Sequence, residues 1–377
     1  MKKLGRIKKL WLLAPFILLL SSCIRVSALQ DLAVVQGVGV DYQDGAYKLT
    51  LQVFSAEGSG GQTILDPSQQ NAKTITCRGR SITDALKETS LSQGRSFFLG
   101  HDRLLVLGEG TRELPLPELL ALLSGSLELR GDVVVLAALG TAEELLQAEI
   151  NQGVLPALTI EQTVENAARS GQIPEIRLLD LNRALASEGG GAVIPAIQAV
   201  EEEGEEGSRQ LKTVALAGAA LYTKDGFCTL LEGETLMGLT LMSGGAERMP
   251  LTLSEEGIGP MGVELYQIRS RLEPDPNGRA AFTLCLSVSA MVTERAENPD
   301  AETLEKAEAL LEKQLAACCQ KAFSQTVAEN RSDVLGLGER LRRSAPETWA
   351  RLRESWPEGA EPTLETDISV QINRLRS

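Results

Sequence analysis

"DLAVVQGVGVDYQDGAYKLTLQVF", Asp31 to Phe54, decides how this chain begins to fold. Two β-prone runs flank Asp44-Gly45, and an Asp-Gly pair between such runs is a strong local signal for a hairpin. In "YKLTLQV" a period of two sets Tyr47, Leu49, Leu51 and Val53 on one face of the second strand. The same stretch contains Gly37-Val38-Gly39, the start of a GxGxxG pattern. Tyr42 stands where a dinucleotide fingerprint needs its third glycine, and strand follows where that fingerprint needs a helix. The glycines therefore do not announce a nucleotide.

Downstream of a Gly- and Ser-rich loop, residues 74–110 read as strand, helix, strand, with Ser81 as a helix cap and Ile82, Ala85, Leu86 and Thr89 on one side. "DRLLVLG" and "DVVVLAALG" are buried strands separated by the helical "LPELLALLSGSLEL". Thr141 caps a helix whose first turn is acidic, as the helix dipole favours. After Pro156 the pattern changes to two helices, then the strands "GAVIPAIQAV" and "LKTVALAGAALYT", joined by the acidic "EEEGEEGSRQ", Glu201 to Gln210. That acidic run reads as a solvated hairpin loop. Calcium loops of fixed geometry place their oxygens differently. Residues 261–292 form a long hairpin turning at Pro274, Pro276, Asn277 and Gly278. In the helix that follows, Leu304, Ala307, Leu311, Leu315, Cys318, Ala322 and Phe323 make one apolar stripe, with Glu312 on the opposite face. "TLETDISVQINR" supplies a last strand. The expectation is an α/β (α+β) protein with domains at 23–155, 156–258 and 259–377.

The residues before that frame have another purpose. Lys2, Lys3, Arg6, Lys8 and Lys9 precede the uncharged Leu10 to Leu20, without an acidic neighbour. At about 1.5 Å per residue this apolar run spans only about half of a bilayer core of about 30 Å, so it reads as a secretory signal and not as a permanent span. "LSSC", Leu20 to Cys23, resembles a bacterial lipobox. Residues 1–22 would be removed after Ser22, and Cys23 would carry S-diacylglycerol with palmitate-type chains as the new N-terminus. Two further acyl-lipid considerations agree: one chain holds a protein only marginally, and two hold it stably. Losing the leader moves the net charge from -14 to -19. So acidic a chain is not drawn to nucleic acid or to an anionic bilayer by general electrostatics.

Chemistry finds little to build on. His101 is the one histidine, and no GxSxG elbow accompanies it. The six cysteines are scattered without a CxxC pair, which is neither a zinc set nor a disulfide framework. Arg130-Gly131-Asp132 has a cheaper reading as a turn before a strand, and the formal sequon at Asn330 has little meaning behind a bacterial lipobox. No catalytic, metal or cofactor residue is assigned. Aromatic residues are only 4% of the chain, which disfavours the alternative of a substrate-binding lipoprotein of an uptake system.

Several segments, in order, resemble the Ger(x)C family of spore germination lipoproteins. They are "LQDLAVVQGVGVDYQDGAYKLTLQV", "GRSITDALKETSLSQGRSFFLGHDRLLVLGE", "LAGAALYTKDGFCTLLEGETLMGL", and residues 318–358 with the D..G.G pattern at Asp333, Gly336 and Gly338. Ile24 departs from the tryptophan that usually follows the lipid cysteine. The resemblance implies an elongated molecule of three α/β domains on the outer face of the spore inner membrane. It implies integral membrane A and B subunits as partners, in a receptor whose nutrient binding triggers germination. It brings no catalytic residue; only Cys23 transfers as a functional position.

Overall fold

Asp44 and Gly45 both take left-handed angles, with φ of 53° and 73°, as a tight turn matched to strand twist requires. They join β1 (Leu32–Gln43) to β2 (Ala46–Phe54) in an antiparallel pair that closes at Gln43 and Ala46. The computed structural model describes residues 32–54, 72–93, 96–148, 156–202, 211–255, 258–275, 279–295 and 299–373. The expected turn at 276–278, most of the acidic loop and the leader lie outside the described residues.

A nine-stranded sheet grows from this hairpin. β3 (Ala72–Gly79) flanks β2. On the other side of β1 follow β5 (Leu104–Leu107), β6 (Val134–Ala138), β7 (Gly191–Glu202), β8 (Leu211–Thr223) and β9 (Gly226–Leu231), while the short β4 (Ser96–Phe98) pairs with the start of β1. β1, β5, β6 and β7 run parallel and so begin at the same end. Parallel neighbours need crossovers. Here these are α1 (Ile82–Gln93), α2 (Leu116–Leu127), α3 (Ala142–Gln147), α4 (Pro156–Arg169) and α5 (Leu178–Ala186). The expected caps are present: Ser81 Oγ accepts from the Asp84 amide at 3.1 Å, and Thr141 Oγ1 from the Glu144 amide at 3.2 Å.

Both faces of the sheet are covered. Val38, Val40, Leu49 and Leu51 pack with α1, α2 and α5; Leu104, Val106, Val134 and Leu136 pack with α3 and α4. This explains why the period of two shows only half of β2. Thr50 and Gln52 point to the second face and are as buried as the leucines between them.

A four-stranded sheet follows, ordered β10 (Arg248–Leu253), β11 (Met261–Pro274), β12 (Ala281–Glu294) and β13 (Thr363–Asn373), with β12 and β13 parallel. Alternate residues of β12, from Phe282 to Val292, are buried against α7 (Ala301–Phe323). Asp300 caps that helix, its carboxylate accepting from the Thr303 amide at 2.8 Å. All seven expected stripe residues are buried. Cys319 is buried too, because α6 (Gly233–Ser243) crosses α7 there. A Cβ on Gly238 would lie 2.1 Å from the Cys318 carbonyl oxygen, so only glycine permits the approach.

Three differences from the expected layout have physical causes. The boundary at 155/156 falls between two helices beneath one sheet, since β7 pairs with β6 through Ala137–Ala196 and Ala138–Ile197; Pro156 marks a helix start. The second sheet begins at Arg248, ahead of residue 259, because β10 is its edge strand. Glu312 is not idle on a far face. Its carboxylate accepts from the Val370 amide at 3.1 Å, as Glu308 does from Ile372 at 2.7 Å, and Gln320 donates to the Leu364 carbonyl at 2.9 Å. Helix α7 thereby clips the outer edge of β13, which would otherwise present unpaired backbone.

Candidate functional site

The G-x-G-x-D run at 37–41 has a structural task. Gly37, Gly39 and Asp41 alternate onto the second face of β1, where α3 lies. A Cβ on Gly39 would sit 2.9 Å from a Leu146 methyl and 3.0 Å from Ala142. Asp41 then receives the first turn of α3, accepting from the Ala142 amide at 2.8 Å and the Glu143 amide at 3.2 Å. Burial raises its carboxyl pKa, opposed by those two hydrogen bonds. Gln52, beside Gly37 on β2, donates to the Leu146 carbonyl and accepts from the Ala157 amide, both at 2.9 Å. One face of one hairpin thus holds α3 at both ends and the start of α4.

The GHD segment lies at the opposite end of the sheet. His101 is exposed, its ring edge-on to Phe98 at 5.8 Å. Asp102 turns inward and is 4% exposed. Its Oδ2 accepts from the Arg130 amide at 3.4 Å, and its Oδ1 meets no donor among the described residues. Burial pushes this carboxyl up to about 6. Arg130 spends its guanidinium on its own neighbour Asp132 and, at 3.1 Å, on the Gly100 carbonyl. The Arg-Gly-Asp tripeptide is therefore tied into a turn before β6. Asn330 is likewise occupied, donating to the Gln325 carbonyl.

The D..G.G pattern builds a third node. Asp333 is buried, with its carboxylate accepting from the amides of Leu337 and Gly338, both at 2.7 Å, and from Trp356 Nε1 at 3.0 Å. It starts α8 (Leu337–Ser344), which is followed by α9 (Pro346–Leu352). Burial raises the Asp333 pKa against those three donors. A Cβ on Gly338 would meet the Trp349 ring at 2.7 Å, so the glycine lets two tryptophans stack edge-on, 5.6 Å apart. The Asp333 amide also donates to the Gly189 carbonyl, just before β7. This aspartate couples the two sheets.

Among the described residues nothing assembles a catalytic or metal centre. No group of three metal-ligating side chains occurs, and Cys77, Cys228, Cys285, Cys318 and Cys319 are free thiols. Burial holds Cys318 and Cys319 protonated, at about 11 and about 12, which removes them as nucleophiles. Among the described residues no helix is long and apolar enough to cross a membrane. Cys23 lies outside the described residues, as do residues 203–210 of the acidic loop. Of the buried aspartates among the described residues, Asp333 stood out in the sequence as the opening of D..G.G, and Asp41 carried a signal in sharing the strand parity of Gly37 and Gly39; Asp102 carried none.

These features define a two-sheet α/β protein whose marked residues join elements to one another. The chain belongs to a family of spore germination proteins. Residues 26–199 match the spore germination protein N-terminal domain, and residues 217–377 match the spore germination B3/GerAC-like C-terminal domain. It is similar to spore germination protein KC of Bacillus subtilis (strain 168), 24% identical over 94% of this chain and 92% of that one. It is also 24% identical to spore germination protein B3 of the same organism, over 94% of each chain. The crystal structure of the GerBC protein shares the fold, with a TM-score of 0.56 and 18% identity, covering 89% of this chain and 96% of the other.

Proposed function

We propose that this chain is a lipid-anchored, non-enzymatic subunit of a nutrient germinant receptor. Acylated Cys23 would tether it to the outer face of the spore inner membrane, where it acts with the integral A and B subunits. The observation that carries the reading is the match to both halves of a spore germination protein, in order, behind a lipobox. Association with partners, and not turnover, is then the property to measure.

Mass spectrometry of the mature N-terminus should find diacylglyceryl Cys23, and Cys23→Ala should leave the leader uncleaved. A mature terminus elsewhere would remove the anchor. Tagged protein purified from spore membranes should bring integral membrane subunits with it; their absence from an acylated, folded preparation would remove the receptor reading.

A further inference from the structure

The parallel strands give the first sheet two unlike ends. β1 is twelve residues long, about 36 Å at about 3.3 Å per residue. At its Gln43 end stand the hairpin turn and the Asp41 cap. At its Leu32 end, β4 sets Phe98 beside Val34. The large hydrophobic side chains most exposed among the described residues are Phe98, Leu122 and Leu179, at 42%, 49% and 48%. Two of the three, Phe98 and Leu179, lie on segments at this end. Gly100 lies under the Phe98 ring, where a Cβ would come within 2.4 Å of it. Arg130 donates to the Gly100 carbonyl, and the Leu179 amide donates to the Gly131 carbonyl at 2.9 Å. The segments of Phe98 and Leu179 are thus tied together through Gly100, Arg130 and Gly131. Scattered exposed apolar residues need no explanation, but neighbours at one end of a sheet do.

The cations nearby are already matched: Arg103 with Glu161, Arg130 with Asp132, and Arg177 with Glu165 and Glu175. The surface therefore offers apolar contact without net attraction for anionic headgroups. The chain entering β1 decides what it faces. Cys23 precedes Leu32 by nine residues, a reach of at most about 30 Å when fully extended. With the Gln43 end against the bilayer, Leu32 would stand about 36 Å above it, beyond that tether. The tether therefore favours the Leu32 end as the one that faces the membrane.

We infer that this end of the first sheet lies on the bilayer surface, with Phe98 and Leu179 entering the boundary between headgroups and acyl chains. The inference rests on the lipid-anchor reading above. Cys23 supplies the attachment and the two side chains set the orientation, since so small a patch cannot hold a protein on a bilayer alone.

The test uses the full mature acylated protein in zwitterionic phosphatidylcholine vesicles containing brominated lipid. Phe98→Trp and Gln43→Trp are compared against the parent, whose Trp349 and Trp356 give a common background. The added fluorescence of Phe98→Trp should be quenched several-fold more than that of Gln43→Trp, and neither added salt nor anionic lipid should change the difference. Equal, weak quenching of both variants in protein whose acylation is verified by mass would overturn the orientation and leave the anchor standing. Protein found unacylated at Cys23 would overturn the anchor, and the orientation with it.

Discussion

Asp102 shows how much one atom can carry. Burial pushes its carboxyl up to about 6 in the folded chain, against 3.8 for an ordinary aspartate, and its Oδ1 meets no donor among the described residues. Between about pH 4 and pH 6 the folded state keeps a proton that the unfolded chain has released, so this group's contribution to stability falls as pH rises through that window. Asp102→Asn should remove the dependence. The Tm difference, parent minus variant, is expected to be more positive at pH 4 than at pH 7 by thermal circular dichroism. A difference independent of pH would show that Asp102 titrates normally. Nothing in "LGHDRLL" reveals this, because burial depends on what the fold packs around Asp102, and the amide that donates to its carboxylate comes from Arg130.

At the scale of elements, α7 and β13 illustrate what periodicity shows and what it hides. The spacing of Leu311 and Leu315 marked a core stripe, and both are fully buried under the second sheet. Leu311→Asp should cost more than about 4 kcal/mol, since a buried carboxylate without a partner is strongly disfavoured. Loss of the folded signal of this module in a urea titration is the expected result. Glu308 and Glu312 carry no such mark. Their function is legible only once β13 lies alongside, since they accept from two amides at its outer edge. Glu312→Gln keeps an acceptor and should be nearly neutral. Glu308→Ala with Glu312→Ala should cost about 2–3 kcal/mol, as two half-buried hydrogen bonds to charged acceptors are lost. A change in the urea midpoint equivalent to under about 0.5 kcal/mol would mean that water replaces both carboxylates without loss.

At the scale of the molecule, the two sheets share one core. Apolar residues run continuously from Leu104 and Val134 through Leu236 and Leu239 to Leu284, Leu311 and Ile372. The parent chain should therefore melt in a single calorimetric transition. Asp333 is the polar counterpart of that continuity, holding α8 and Trp356 through its side chain and Gly189 through its amide. Asp333→Ala leaves three buried donors unmet and should cost about 3–5 kcal/mol. Scanning calorimetry should show a markedly lower Tm or two separate transitions. An unchanged single transition would place the coupling elsewhere, in the apolar core.

What the sequence determined by itself was local. Asp44-Gly45 needs only its own two residues to turn, Ser81, Thr141 and Asp300 cap amides three positions away, and the stripe on α7 follows from a period of 3.6. The family was legible for the same reason, since its motifs keep their order along the chain. The tertiary structure alone decided how many sheets there are, because strand pairing such as β6 with β7 joins residues about 60 apart and leaves no periodic trace. It also decided the meaning of Gly39, Gly238, Glu312 and the buried aspartates. Each is defined by a partner distant in sequence, and a side chain's environment is set by what the fold packs against it.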